Sequence, residues 1–324
     1  MTLGQSTGRH SVVPPAESLP DVLPTDRLRE GARLRTDLRA DLRRIPDLAN
    51  AWTVASLWVQ IAAVIAGAIW LHHPVAWIVA FLLMGRAFSQ LLILGHEAAH
   101  LLLFSNRRLN DFVGRWILDY PGLVPFEIYR KGHMAHHKDE MGPDEPDKAL
   151  YAPYPVTRAS LRRKLTRDAL FVSGLKNLRP LIAAVRSRAG RPIALRILAT
   201  QVALVAAFTA LGRPELYLFL WLAPWMTVWR VINRLRAIAE HGGMIRSADR
   251  RQTTHHVRQS AAARFALVPY NTGWHLAHHV DIGIPFRNLP ALHRELEAAG
   301  WVTPEFVHPS YRALWRTLAS RPTQ

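Results

Sequence analysis

A chain of 324 residues with 49% hydrophobic side chains, 41 Lys and Arg against 24 Asp and Glu, and a formal charge of +17 is too apolar for a loose surface protein and too charged for one buried throughout. It has no cysteine, which excludes disulfides, Cys-ligated zinc and iron–sulfur clusters, so any metal it holds uses N and O ligands. The Arg and Lys residues flank apolar stretches and form no nucleic-acid motif; the charge fits cytoplasmic loops beside anionic headgroups and acidic redox partners, not nucleic acid.

Residues 1–50 make a polar, Pro- and Arg-rich cytosolic arm. Within it Leu34, Leu38 and Leu42 recur every four residues among arginines, with Leu28 upstream. That is the pattern of a cationic amphipathic helix on a membrane surface, or equally of a solvated arm. No apolar core precedes residue 51, so no cleaved signal peptide is expected.

A membrane-type domain follows over 51–310, with apolar spans at about 51–71, 74–95, 193–211 and 215–232, each close to the ~20 residues a membrane helix needs. The second carries Arg86 and Gln90, the third Arg196 near its start, and the fourth Pro224 and Arg230. Very short connections at 72–73 and 212–215 join the spans into two helical hairpins. The first tip (His72, His73) has no Lys or Arg and the second only Arg213, so the cation-rich side and both termini are assigned to the cytoplasm. Arg86, a charge at bilayer depth, reads first as a structural pair with another helix. Residues 111–128 are broken by Pro121, Gly122 and Pro125 and suit an interfacial segment that does not cross. The basic region 150–190 reads as surface-bound helix, residues from 280 onward as a cap on the cytosolic side, and 311–324 as a C-terminal tail. The fold class is therefore all-α and integral to the membrane, four transmembrane helices in two hairpins beneath a cytosolic helical cap.

Histidines collect where these spans meet the cytosol: His96 and His100; His133, His136 and His137; His275, His278 and His279; and His241 alone in Ala-Glu-His-Gly-Gly. Residues three and four apart share one helix face, so each cluster can aim its imidazoles at one point, and imidazole is a common transition-metal ligand. Nine such ligands are too many for one ordinary centre and about right for two. His255 and His256 lack a partner at helical spacing, His293 suits packing or a hydrogen bond, and His10, His72, His73 and His308 read as exposed; all stay outside the metal set.

Three stretches resemble the membrane fatty acid desaturase/hydroxylase family, over roughly residues 50–310. They are Gly-His-Glu-Ala-Ala-His at 95–100, Lys-Gly-His-Met-Ala-His-His at 131–137 with Asp-Glu-Pro-Asp at 144–147, and Pro-Tyr-Asn-Thr-Gly-Trp-His-Leu-Ala-His-His at 269–279 with Asn-Leu-Pro-Ala-Leu-His at 288–293. The tail is similar to that of the acyl-lipid desaturase branch. The resemblance implies two irons bound by His96, His100, His133, His136, His137, His241, His275, His278 and His279, with O2 as co-substrate, and removal of hydrogens from an alkyl chain. No catalytic residue separate from the ligands is then needed. Carboxylates Glu97, Glu240, Asp144, Asp147 and Asp281 are candidates to orient the ligands, and Asn271, four residues before His275 and on the same helical face, to hold a water.

The expected activity is O2-dependent desaturation of a fatty acyl chain, acyl-lipid or acyl-CoA. The alternative is a hydroxylase or ketolase on the same scaffold, acting on an alkane, carotenoid or sphingoid chain; Ala-Glu-His-Gly-Gly resembles the Glu-His-x-Gly stretch of membrane alkane hydroxylases. A metal transporter or store would carry His, Asp or Glu within its spans, and these spans carry none beyond Glu215 at the very edge of the fourth. The His-Pro-Gly-Gly haem motif of a fused cytochrome b5 is absent, so electrons are expected from a ferredoxin- or rubredoxin-type carrier with its reductase. The Ala/Arg-rich composition and the Arg-Pro-Thr-Gln ending lean towards a bacterial plasma membrane.

Overall fold

The computed structural model describes residues 12–321, and His10 lies outside them. Regular structure is almost all helical. The arm folds on itself first: Leu28 bridges to Leu34 around Gly31, whose φ of 68° favours glycine, and α1 (Thr36–Leu42) follows. Leu28 and Leu34 are buried, and Leu38 and Leu42 pack on the main core. Leu34 precedes α1 instead of lying on it. The arm's leucines therefore seat it on the protein, and Arg39 fastens it by a 2.5 Å ion pair to Asp281.

The first hairpin is α2 (Asp47–Leu71) and α3 (Pro74–Ala99). Their 25 and 26 residues, at a rise of about 1.5 Å each, exceed the roughly 30 Å hydrocarbon layer. His72 turns the chain at φ 45°, the His73 ring accepts from the Val75 N–H, and Pro74 occupies the first helical position, where its missing donor costs nothing. Most of α2 is left uncovered by protein, with Trp52, Val59 and Trp70 outward, whereas α3 is buried over most of its length.

After α4 (Arg107–Phe112) the chain makes a wide π-helical turn over Val113–Asp119 and breaks at Pro121 and Gly122. The carbonyls this irregular backbone frees are taken up by long side chains. Trp58 donates to Ile117, Trp221 to Pro121, Trp225 to Gly122 and Gln201 to Tyr120, at 2.7–3.2 Å. An interrupted backbone among apolar helices needs such partners. Then come α5 (Phe126–Lys138), α6 (Lys148–Tyr151), and the basic α7 (Arg158–Ala169) and α8 (Val172–Ala184).

The third long apolar helix is α9 (Arg191–Ala210). The stretch expected as a fourth continuous span is divided: a π-helical turn at Tyr217–Leu222, α10 (Ala223–Met226) and α11 (Val228–His241). Pro224 lacks a donor, the Thr227 hydroxyl takes the Ala223 carbonyl at 2.7 Å, and Thr227 departs from helical geometry at φ −124°, ψ −84°. Among the described residues, three helices are long and apolar enough to cross a membrane. Where α3 passes α11, Gly85 admits Val228: a Cβ at 85 would lie 2.3 Å from Val228 Cγ1.

The remaining chain covers the far end. β1 (His256–Val257) pairs in parallel with β2 (Val307–His308), and between them lie α12 (Ala261–Ala266), α13 (His275–Val280) and α14 (Leu289–Ala298). Residues 311–318, read as the start of a tail, form α15 (Tyr311–Leu318), which buries Tyr311, Leu314 and Leu318 in a core shared with Ile238 of α11.

Candidate metal centre

Four helices deliver the clustered histidines. His96 lies in the last turn of α3 and His100 caps it; α5 brings His133, His136 and His137; α11 ends on His241; α13 opens on His275 and carries His278 and His279. All nine converge. Nε2 of His133 lies 2.9 Å from Nε2 of both His100 and His137, and His137 is 3.1 Å from His278. Nε2 of His275 lies 3.0 Å from both His241 and His279. His96 joins the first set, its ring centre 4.5–4.7 Å from those of His100, His133 and His278. His136 lies beside the second, 4.8 Å from His241 and 5.1 Å from His279. The sets touch where His137 and His279 come within 4.4 Å.

Three of the outward nitrogens are held in place. His279 Nδ1 meets Glu140 at 2.5 Å, His136 Nδ1 meets Glu145, and His241 Nδ1 donates to the Thr253 carbonyl at 2.9 Å. Glu140 is itself bound by Arg250 at 2.7 Å and by the Thr253 hydroxyl. Burial, and then neighbouring imidazoles, hold His133, His137, His278 and His279 well below the usual histidine range, and burial first pushes His100 down to about 3. These rings are therefore neutral at pH 7, the form that ligates metal.

The donor set fits a metal. Two nitrogens about 2.1 Å from one cation and at right angles are about 3.0 Å apart, the spacing seen between neighbouring Nε2 atoms. Within each of three groups, His96/His100/His133/His137/His278, His136/His137/His279 and His241/His275/His279, donor atoms lie within 4.8 Å of one another. With oriented second nitrogens and neutral N-donors, this histidine-rich cluster is able to bind metal.

A cavity of about 430 Å³ opens onto it and reaches His96 and His275; Leu92, Ile93, Leu123, Trp225 and Trp229 give it an apolar wall, and Arg230, Asn233, Arg236 and Glu240 a polar one.

A family model described as fatty acid desaturase matches residues 68–312. The chain belongs to the fatty acid desaturase family. Among its relatives, an sn-2 acyl-lipid omega-3 desaturase (ferredoxin), chloroplastic, from Arabidopsis thaliana is 31% identical over 107 residues, 32% of this chain and 24% of that protein. An sn-1 oleoyl-lipid 12-desaturase from Anabaena variabilis is 30% identical over 135 residues, 39% and 37%. Dihydrorhizobitoxine desaturase from Bradyrhizobium elkanii is 25% identical over 234 residues, 67% and 65%. The matches thus span less than two thirds of each relative's own length.

The other polar residues fall out differently from their expected places. Asn271 is not on the helix of His275: with Tyr270 it lies in a turn at φ 55–60°, between Pro269 and Gly273, and α13 starts only at His275. Asp281 is taken by Arg39, Glu97 accepts from the Phe286 N–H at 2.9 Å, and Asp144 is exposed. Glu240 faces His275 Nδ1 at 3.7 Å, and Asp147 stands on the cavity wall. The carboxylates that hold imidazoles, Glu140 and Glu145, escaped sequence reasoning; both lie in the irregular stretch between α5, which ends at Lys138, and α6. His308 is half-buried, not exposed, and rings against His255; His256 is buried and stacks on His293 at 4.3 Å. His72 and His73 are exposed. Arg86 is used structurally, donating to the Phe265 carbonyl at 2.6 Å and to Gln90 at 2.8 Å.

Proposed function

We propose that this protein is an O2-dependent di-iron desaturase that places a double bond in a fatty acyl chain. The observation that carries this reading is the convergence of nine histidine rings, in two adjoining sets, beside a cavity with an apolar wall. His96, His100, His133, His137 and His278 would hold one iron, and His136, His241, His275 and His279 the other. A methylene C–H is too inert for acid–base chemistry, and bound iron with O2 supplies an oxidant able to take its hydrogen.

The chain's own residues do the rest. Leu92, Ile93, Leu123, Trp225 and Trp229 hold an alkyl chain and exclude water along it. Glu140, Glu145 and the Thr253 carbonyl fix three imidazoles, so that their Nε2 lone pairs point inward. Glu240, which burial pushes above the usual carboxylate range and whose Oε1 lacks a hydrogen-bond partner, is placed to hold a proton beside His275.

The reading includes four membrane crossings in two hairpins, the interrupted segment before α11 supplying the fourth. It keeps the membrane domain at 51–310 and puts the arm, the histidines and both termini on the cytoplasmic side of a bacterial plasma membrane. Electrons come from a separate ferredoxin- or rubredoxin-type protein. Relatives with ferredoxin in their names and the basic face of this chain support that.

A second reading, hydroxylation, is favoured by one observation: the Glu240–His241 pair of the Ala-Glu-His-Gly-Gly stretch lies at the cavity itself. Mass spectrometry of lipids from a desaturase-deficient host, expressing this protein with a ferredoxin system, separates the two. A product lighter by two hydrogens, absent with His136→Ala, supports desaturation; one heavier by an oxygen moves the assignment to hydroxylase.

A further inference from the structure

The histidine sets are approached from two sides that share no residue. The cavity with the apolar wall meets His96, His133, His136, His241, His275 and His278. On another side a bowl of about 760 Å³ ends on His137 and His279. Its wall carries Arg29, Arg33, Arg39 and Arg250 against Glu30 and Asp281. Arg39 is spent on Asp281, while Arg29 and Arg33 are exposed on the folded arm. Two features make the bowl more than a basic patch. His137, only 6% exposed, has an Nδ1 without a hydrogen-bond partner. And a chain of contacts runs from wall to ring: Arg250 to Glu140 at 2.7 Å, Glu140 to His279 Nδ1 at 2.5 Å.

We propose that this bowl is the docking site of an acidic one-electron carrier protein, with the Arg250–Glu140–His279 contacts as the route by which its electron enters. The proposal rests on the desaturase reading above. A lipid headgroup seated in the bowl would leave its acyl chain on the wrong side of the histidines, whereas a carrier needs only close approach to their rings. The electrons balance: two reduced carriers each lose one electron, and these, two protons and the two hydrogens removed from the alkyl chain reduce one O2 to two waters. Positive charge around the bowl steers an acidic partner and gives an association that weakens with salt.

The test uses the full chain in nanodiscs and an acidic [2Fe–2S] ferredoxin. Arg29→Glu with Arg33→Glu should raise the Kd for oxidised ferredoxin by about tenfold or more and flatten its salt dependence, because like charges then face each other. Arg162→Glu with Arg163→Glu, exposed on α7, should leave it within about twofold. If the double reversal disturbs folding, Arg29→Gln with Arg33→Gln, checked for an unchanged Tm, should give an intermediate Kd. An unshifted Kd, equal weakening by the α7 pair, or no binding to the unaltered protein overturns the proposal. Binding requires no lipid product, so the two readings fail separately. Product with an unshifted Kd removes the docking site alone; a shifted Kd without product removes the desaturase reading alone.

Discussion

At the scale of single residues, the burden falls on imidazoles and on what holds them. His136→Ala and His278→Ala should each abolish product and lower bound metal, measured by elemental analysis, with the protein still in the membrane fraction. Glu140→Gln and Glu145→Gln should weaken metal retention or activity by about 10- to 100-fold, read by chelator titration, because the ligand rings lose their orienting anions. Rings outside the ligand set add to the acid sensitivity of the fold. Burial pushes His255 and His256 down to about 3 and His293 to about 4. Each stays neutral in the folded protein while the unfolded chain binds a proton below about 6.5. Their contribution is complete above pH 6.5 and is lost as the pH falls from there towards 3–4. Tm should drop between pH 7 and pH 5, and His256→Phe, which keeps an aromatic ring on His293, should flatten that drop. The ligand histidines were legible because their spacing repeats. Glu140 and Glu145 were not, because a carboxylate that grips a ring looks in sequence like any other acid near a helix end. Asn271 was misplaced because counting back four residues assumes a helix, and Pro269 and Gly273 do not allow one there.

At the scale of elements, the site depends on α3 and α11 lying at one separation. Val228 occupies the space a side chain at Gly85 would need, so Gly85→Leu must push the helices apart. Overpacking of this kind costs about 1–3 kcal/mol. Tm followed by tryptophan fluorescence should fall by several degrees, and metal content should fall with it, because His96 and His241 end these two helices. Hydropathy revealed α2, α3 and α9 as long helices. It gave the stretch before α11 the same reading, since composition does not register that Pro224 and Thr227 break the backbone. The arm's leucines posed the converse difficulty. A stripe of Leu among Arg has the same period whether it faces lipid or protein, and here Arg39 and Asp281 tie it to protein.

At the scale of the whole molecule, the absence of cysteine makes topology directly testable. Single cysteines at the exposed His73 and at the exposed Arg163 should label from opposite sides of intact inverted vesicles with a membrane-impermeant maleimide. Labelling of both from one side would remove the hairpin arrangement. The family match over residues 68–312 leaves out the whole of the arm, which forms one wall of the basic bowl.

The unbroken course of α3 has a consequence for the lipid around it. From Pro74 to His96 the helix runs about 33 Å, slightly more than the roughly 30 Å of a hydrocarbon layer. With the hairpin tip anchored at one interface, the length of α3 would set how far the histidines stand from the headgroups of the other, and so how deep an acyl chain entering there must reach. A thicker or thinner bilayer would then slide a different methylene to the same rings. Membrane thickness, and not only the shape of the cavity, would decide where along the chain the reaction falls.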